Sequence, residues 1–298
     1  MRDLTRRGFL TTSAAVAGLL AGCPSDSDGT ASTPSPTPTP TPTPAIPADA
    51  PEYWSWLPAP AALDVDRYSV GAFDLEPMRE AGAANRLLDP RRFAPEALEA
   101  AIGPTERLLT LSNSDFGTGL LFGDYDVEAI GQDLQASNFD QSGGTRYTGE
   151  DIVVDLSTER IDWADRAATA SATVETMQKQ VGNGETPYPA ANSKLRRALE
   201  TVEPAEARFA LEYRPQAGAN KLEGARYHAN GMQFKESSAS WHIAVVYAEA
   251  PPEGAARAYR EVFEDKQGFT DIRTRVDGDL LELEVSTSPI YATSTQPF

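Results

Sequence analysis

The chain has 298 residues, 40% of them hydrophobic, with 26 basic side chains against 44 acidic ones and a formal charge of −18. That apolar content supports one or two compact domains, while the acidic balance excludes a protein that reads nucleic-acid phosphates or adsorbs to anionic lipid by charge. One cysteine, Cys23, and two histidines, His228 and His242, exclude an internal disulfide, a zinc or iron–sulfur ligand set and the Cys-plus-two-His equator of a blue-copper site.

Residues 1–22 read as a signal peptide and not as part of the fold. Arg2, Arg6 and Arg7 form a basic start, and the uncharged run GFLTTSAAVAGLLAG follows. At fifteen residues it is too short and too rich in small side chains for a membrane span, which needs roughly 20 apolar residues, and it has the shape of a secretory apolar region. TRRGFL resembles the twin-arginine export signal, with Arg6 and Arg7 as its pair. LAGC resembles a lipobox, in which Cys23 becomes the mature N-terminus and carries lipid on its sulfur. Two alkyl chains, at about 0.8 kcal/mol per buried CH₂, hold a protein on a bilayer where one chain does not.

Residues 23–50 read as the lipidated cysteine and a disordered Thr/Pro linker. Alternating Thr and Pro from residue 33 to 44 cannot form helix or sheet, because proline lacks an N–H and fixes φ, so extended polyproline II is expected. At about 3.1 Å per residue the linker reaches ~80 Å from the membrane.

The folded part is expected from residue 51, with an N-terminal half over 51–160 and a C-terminal half over 161–298. Tyr53, Trp54, Trp56 and Leu57 are too apolar for a linker and read as core. Strand runs follow at 67–74, 107–112 and 118–124, with helix inserted near PEALEAAI between the first two. Asp126 then caps a helix carrying Val127, Ile130 and Leu134, and GTRYTGEDIVVDLS supplies two short strands around a Thr148-Gly149 turn. Trp163, Ala167, Ala170, Val174, Met177 and Val181 fall at alternating steps of four and three, one stripe of a helix about 20 residues long. A second, shorter helix places Leu195, Leu199 and Val202 together.

The C-terminal half repeats the order: strand runs at 208–214, 226–234 and 240–249, a helix opening at Pro252 with Ala255, Tyr259 and Val262 on one face, and two strands joined at Asp277-Gly278. Two similar β-β-β-α-β-β halves predict an α+β fold of antiparallel sheets with helices on one face.

Chemistry is scarce in the sequence. His242 in SASWHIAVV and His228 in ARYHANGM read as sheet histidines, and no G-x-S-x-G elbow accompanies them. Asp124, Asp126 and Glu128 resemble the start of a calcium loop, but Ala129 and Gln135 stand where that loop needs Gly and Glu. No phosphate loop, dinucleotide fingerprint or zinc motif is present, so no catalytic residue, cofactor or metal is assigned.

The folded part carries all the charge: up to Gly29 the two signs cancel, and only 5 of the 26 cations are lysine. Molar salt shortens the screening length to about 3 Å and removes the resulting self-repulsion. The composition resembles that of halophilic archaeal proteins, and with residues 5–23 and the stalk the chain resembles the twin-arginine-exported lipoproteins of those organisms. That resemblance implies a membrane-anchored location facing the extracellular side, with the membrane as partner through Cys23, and it lends no active site. The expected role is non-catalytic binding or structure, with protein or small-molecule ligand open. The alternatives are an exported hydrolase using carboxylate or Ser/His chemistry and a solute-binding lipoprotein of a transport system, which requires two lobes around a cleft.

Overall fold

The structure, a computed structural model, describes residues 46–81, 95–165, 169–183, 186–212, 223–235, 237–264 and 266–288, all within the unit Thr43–Phe298. Arg6, Arg7, Cys23 and the Thr/Pro run lie outside the described residues.

Strands run in chain order as β1 (Ser69–Asp74), β2 (Thr105–Asn113), β3 (Phe116–Gly123), β4 (Asp140–Gly143), β5 (Arg146–Thr148), β6 (Ile152–Leu156) and β7 (Arg160–Asp165). They continue as β8 (Ala207–Glu212), β9 (Ala225–Phe234), β10 (Ala239–Tyr247), β11 (Phe269–Asp277) and β12 (Leu280–Thr287). The helices are α1 (Leu75–Glu80), α2 (Glu99–Ile102), α3 (Val127–Ala136), α4 (Ala170–Asn183), α5 (Tyr188–Ala191), α6 (Ser193–Thr201) and α7 (Ala255–Glu264). The fold is α+β. Among the described residues the strands form one 12-stranded antiparallel sheet in the order β11-β12-β10-β9-β8-β1-β2-β3-β7-β6-β5-β4.

The separate sheets expected for the two halves are therefore a single sheet. The join is β1 against β8, paired from Ser69↔Leu211 to Phe73↔Ala207. Each would otherwise be an edge strand with a row of unsatisfied backbone groups, and pairing removes both edges. Outward from this join the order is β1-β2-β3-β7-β6 on one side and β8-β9-β10-β12-β11 on the other, with β5 and β4 extending the first side.

The boundary expected at 160/161 falls inside β7, and Trp163 belongs to that strand rather than to the long helix. Arg160-Ile161-Asp162-Trp163 alternates polar and apolar, the period of a strand, and Trp163 happens to stand at helical spacing from α4 as well. The observed helix stripe is Ala170, Val174 and Met177, with Val181 partly buried, while Ala167 lies outside the described residues. Asp126 caps α3 as expected, its carboxylate accepting from the Ala129 N–H at 3.0 Å.

Helices cover both faces of the sheet, which corrects the one-face expectation. On one face α1, α3 and α7 pack over Phe73, Leu108, Leu121, Ile161, Trp163, Trp241 and Ile243. There Phe263 of α7 meets Trp241 edge-on, at 6.1 Å between ring centroids. On the other face α6 and the 3₁₀ turn Glu52–Trp56 cover Val70, Ala72, Leu109, Leu111, Ala229, Ala244 and Val246, and α4 packs beside them over Val153 and Ala164. The reason is strand pattern: β10 buries Trp241, Ile243 and Val245 on one side and Ala244 and Val246 on the other. A strand apolar on both faces needs cover on both. Tyr53, Trp54, Trp56 and Leu57 are core residues, as their composition predicts.

Candidate functional site

The two histidines do not meet. On β9, His228 pairs in register with Leu211 and Val245 and sits under the α7 side of the sheet. His242 on β10 lies opposite Gly231 and Glu284 and points to the other face, half-buried. It lines an open trough of about 360 Å³ with Thr201, Arg273, Arg275, Glu282 and Glu284. Arg273 and Arg275 reach Glu284 and Glu282 at 3.7 and 3.9 Å, cross-strand pairs on an exposed surface. Ser240, two residues before His242, directs its hydroxyl to the Gln233 amide oxygen at 3.5 Å.

His228 is 4% exposed, and burial lowers its pKa from 6.5 to about 4. The folded state thus holds a neutral imidazole that the unfolded chain protonates first. Stability is expected to fall by about 3 kcal/mol as pH drops from 6.5 to 4, because the unfolded state binds the extra proton there. Urea midpoints at the two pH values should show this loss shrinking in His228→Phe; equal losses in both proteins would contradict it.

Asp124, Asp126 and Glu128 stay at the surface, Asp126 occupied by its cap. Among the described residues no group of three His, Cys, Asp or Glu is placed to hold a metal ion, and no helix is long and apolar enough to cross a membrane.

What the tertiary structure does assemble is a pocket of about 220 Å³ over the β2-β1-β8 seam. Its floor is Ala72, directly opposite Leu109 on one neighbouring strand and Arg208 on the other, while Asp74 lies opposite Arg107. The strands carrying the two arginines are two sheet spacings apart, about 10 Å, so their guanidiniums flank a floor of one methyl group. Tyr53 and Trp56, from the 3₁₀ turn Glu52–Trp56, form the wall above.

The two arginines differ in setting. Arg208, its side chain 9% exposed, donates from Nη1 to Asp74 Oδ2 at 2.7 Å and from Nε to Glu203 Oε1 at 2.8 Å. Its guanidinium lies 5.4 Å from the centre of the Tyr53 ring. Burial works against its charge, and Glu203 and Asp74 outweigh that, so it titrates above the ordinary arginine value. Burial and the Glu203 charge hold the Tyr53 phenol well above its ordinary value, leaving it a donor to Glu203 at 3.1 Å. Arg107 is half open. It donates to Glu52 Oε2 at 2.5 Å, with the two side chains 40% and 63% exposed. Trp56 and Phe122 stack at 4.2 Å, and the Arg107 guanidinium rests 5.3 and 5.1 Å from their ring centres.

Sequence reasoning missed this site. Its one local signal is a charge near the start of a strand, Arg208 between Ala207 and Phe209 in ARFALE. Its partner Asp74 is 134 residues away, and no spacing rule finds it.

No protein-family model matches the chain, and no curated protein matches it in sequence. Among solved structures it is similar to crystal form I of TP0453, with 10% identity and a TM-score of 0.55 over 83% of this chain and 97% of that one. Crystal form III of TP0453 gives 8% identity and a TM-score of 0.54 over 81% and 98% of the respective chains. At such identity what the likeness shows is a shared α+β fold.

Proposed function

We propose that this is an exported protein, anchored in the cell membrane by lipid on Cys23 and facing the extracellular side, whose α+β domain serves a non-catalytic binding role. The order Arg6-Arg7, uncharged run, Cys23 and proline stalk supports the anchor. The observation that carries the non-catalytic reading is the placement of the histidines: His228 is buried among apolar residues on one face, and His242 stands on the other with the nearby Ser240 hydroxyl directed to Gln233. A Ser/His hydrolase needs its serine on the imidazole. Binding rather than lobe closure is favoured by the sheet, which runs through the β1-β8 join where a two-lobed solute receptor requires a hinge.

The anchor has a direct test. Intact mass of the protein extracted from native membranes is expected to match a chain beginning at Cys23 plus two alkyl chains, and Cys23→Ser should move the protein from the detergent phase to the aqueous phase. A mature protein beginning at an unmodified Met1 would overturn the reading.

A further inference from the structure

We propose that the seam pocket binds a small organic monocarboxylate with an apolar body, held by Arg107, and that Glu52 occupies the carboxylate position until the ligand displaces it. The inference rests on the binding role above and names its ligand class.

Three features of the pocket lead there. The guanidinium of Arg107 is fixed from behind by the rings of Trp56 and Phe122, while its partner Glu52 is mostly in solvent. An ion pair exposed on both sides contributes about 0–1 kcal/mol, so its carboxylate exchanges easily, and planar guanidinium takes a carboxylate in bidentate fashion. A ligand carboxylate that displaces Glu52 adds one negative charge to the site, and molar salt screens that charge and the −18 of the whole chain beyond about 3 Å.

Arg208 is already committed to Asp74 and Glu203, so anchoring falls to Arg107. The pocket of about 220 Å³ has a mixed lining, with Pro51, Tyr53, Trp56 and Ala72 as its apolar part beside Asp74 and the two arginines, and its volume admits a body of benzoate size. With Arg208 paired, a second ligand carboxylate would find no partner among the lining residues, which selects a monocarboxylate.

The test titrates benzoate, and neutral benzamide beside it, into the full mature chain in detergent and molar chloride by calorimetry. Saturable benzoate binding is expected, with none for benzamide. Glu52→Gln should tighten it by about five-fold, the worth of the exposed pair it removes. Arg107→Gln should weaken it by about ten-fold or more, the worth of a charge-assisted hydrogen bond. Because the Arg107–Glu52 pair is exposed, both variants should unfold within about 4 °C of the wild type and remain folded in the titration, which separates a lost ligand from a lost fold. Equal response to benzoate and benzamide, wild-type affinity in Arg107→Gln, or no tightening in Glu52→Gln would overturn the assignment. Such a failure leaves the Cys23 mass measurement untouched, so the ligand class and the anchored-protein reading fail separately.

Discussion

Replacing Gly231 with alanine is expected to cost the domain about 3 kcal/mol or more, the upper range for forcing atoms into a packed core. Gly231 sits on β9 between Arg208 and His242, on the face that α6 covers. A Cβ there would fall on the Val202 carbonyl oxygen, with the Val202 Cβ at 2.9 Å and the Ala205 Cβ at 3.1 Å. Those atoms belong to the chain just past α6 and cannot swing aside as a flexible side chain would. The end of α6 must lift from the sheet. Melting should register a drop of roughly 10 °C for a domain of this size. Gly182 in α4 supplies the control, since a Cβ there meets nothing within 4 Å. Alanine at Gly182 should be neutral or stabilise by about 0.5–1 kcal/mol through helix propensity. Equal behaviour of the two variants would show that α6 is not seated on β9.

Arg208→Met is expected to cost about 3–5 kcal/mol, because removing one member of a buried ion-pair group leaves the others uncompensated. Methionine keeps the bulk but abandons Asp74 and Glu203, whose side chains are 35% and 15% exposed. It also withdraws the cation from the Tyr53 ring. Arg208→Lys should recover only part of the loss, since a point charge cannot serve two carboxylates with the geometry of a planar fork. The comparison is Arg107→Gln, whose exposed pair with Glu52 predicts a loss under about 1 kcal/mol. Urea unfolding of the three variants orders them, and a smaller loss for Arg208→Met than for Arg107→Gln would mean that the seam is not held by Arg208.

Much of the fold was legible because it is written locally. The strand opened by RFALE, the Asp126 cap and the turn before Leu280 each involve residues within a few positions, and each is found where its pattern predicts, although β8 buries Ala210 between a half-buried Phe209 and Leu211 and is not the one-sided strand that the alternation implies. Even the hairpin's special backbone is in place, with Gly278 at φ 61°. The misreadings arise where local patterns compete or are absent. Trp163 fits a strand and a helix stripe at once, and pairing of β7 with β3 decides between them. Asp140–Gly143 is polar and exposed throughout, so β4 leaves no hydrophobic period to read.

By itself the sequence determined an acidic α+β chain with strands in two runs, and it carries in residues 5–23 the order that motivates the anchor proposal. Only the tertiary structure decided that the runs join through β1 and β8, that helices cover both faces, and that His228 and His242 look in opposite directions. It alone set Arg107, Asp74 and Arg208 around Ala72. The physical reason is range: periodicity and capping act over a turn or a pleat, whereas strand register brings together residues more than a hundred positions apart, and the pocket exists only in that register.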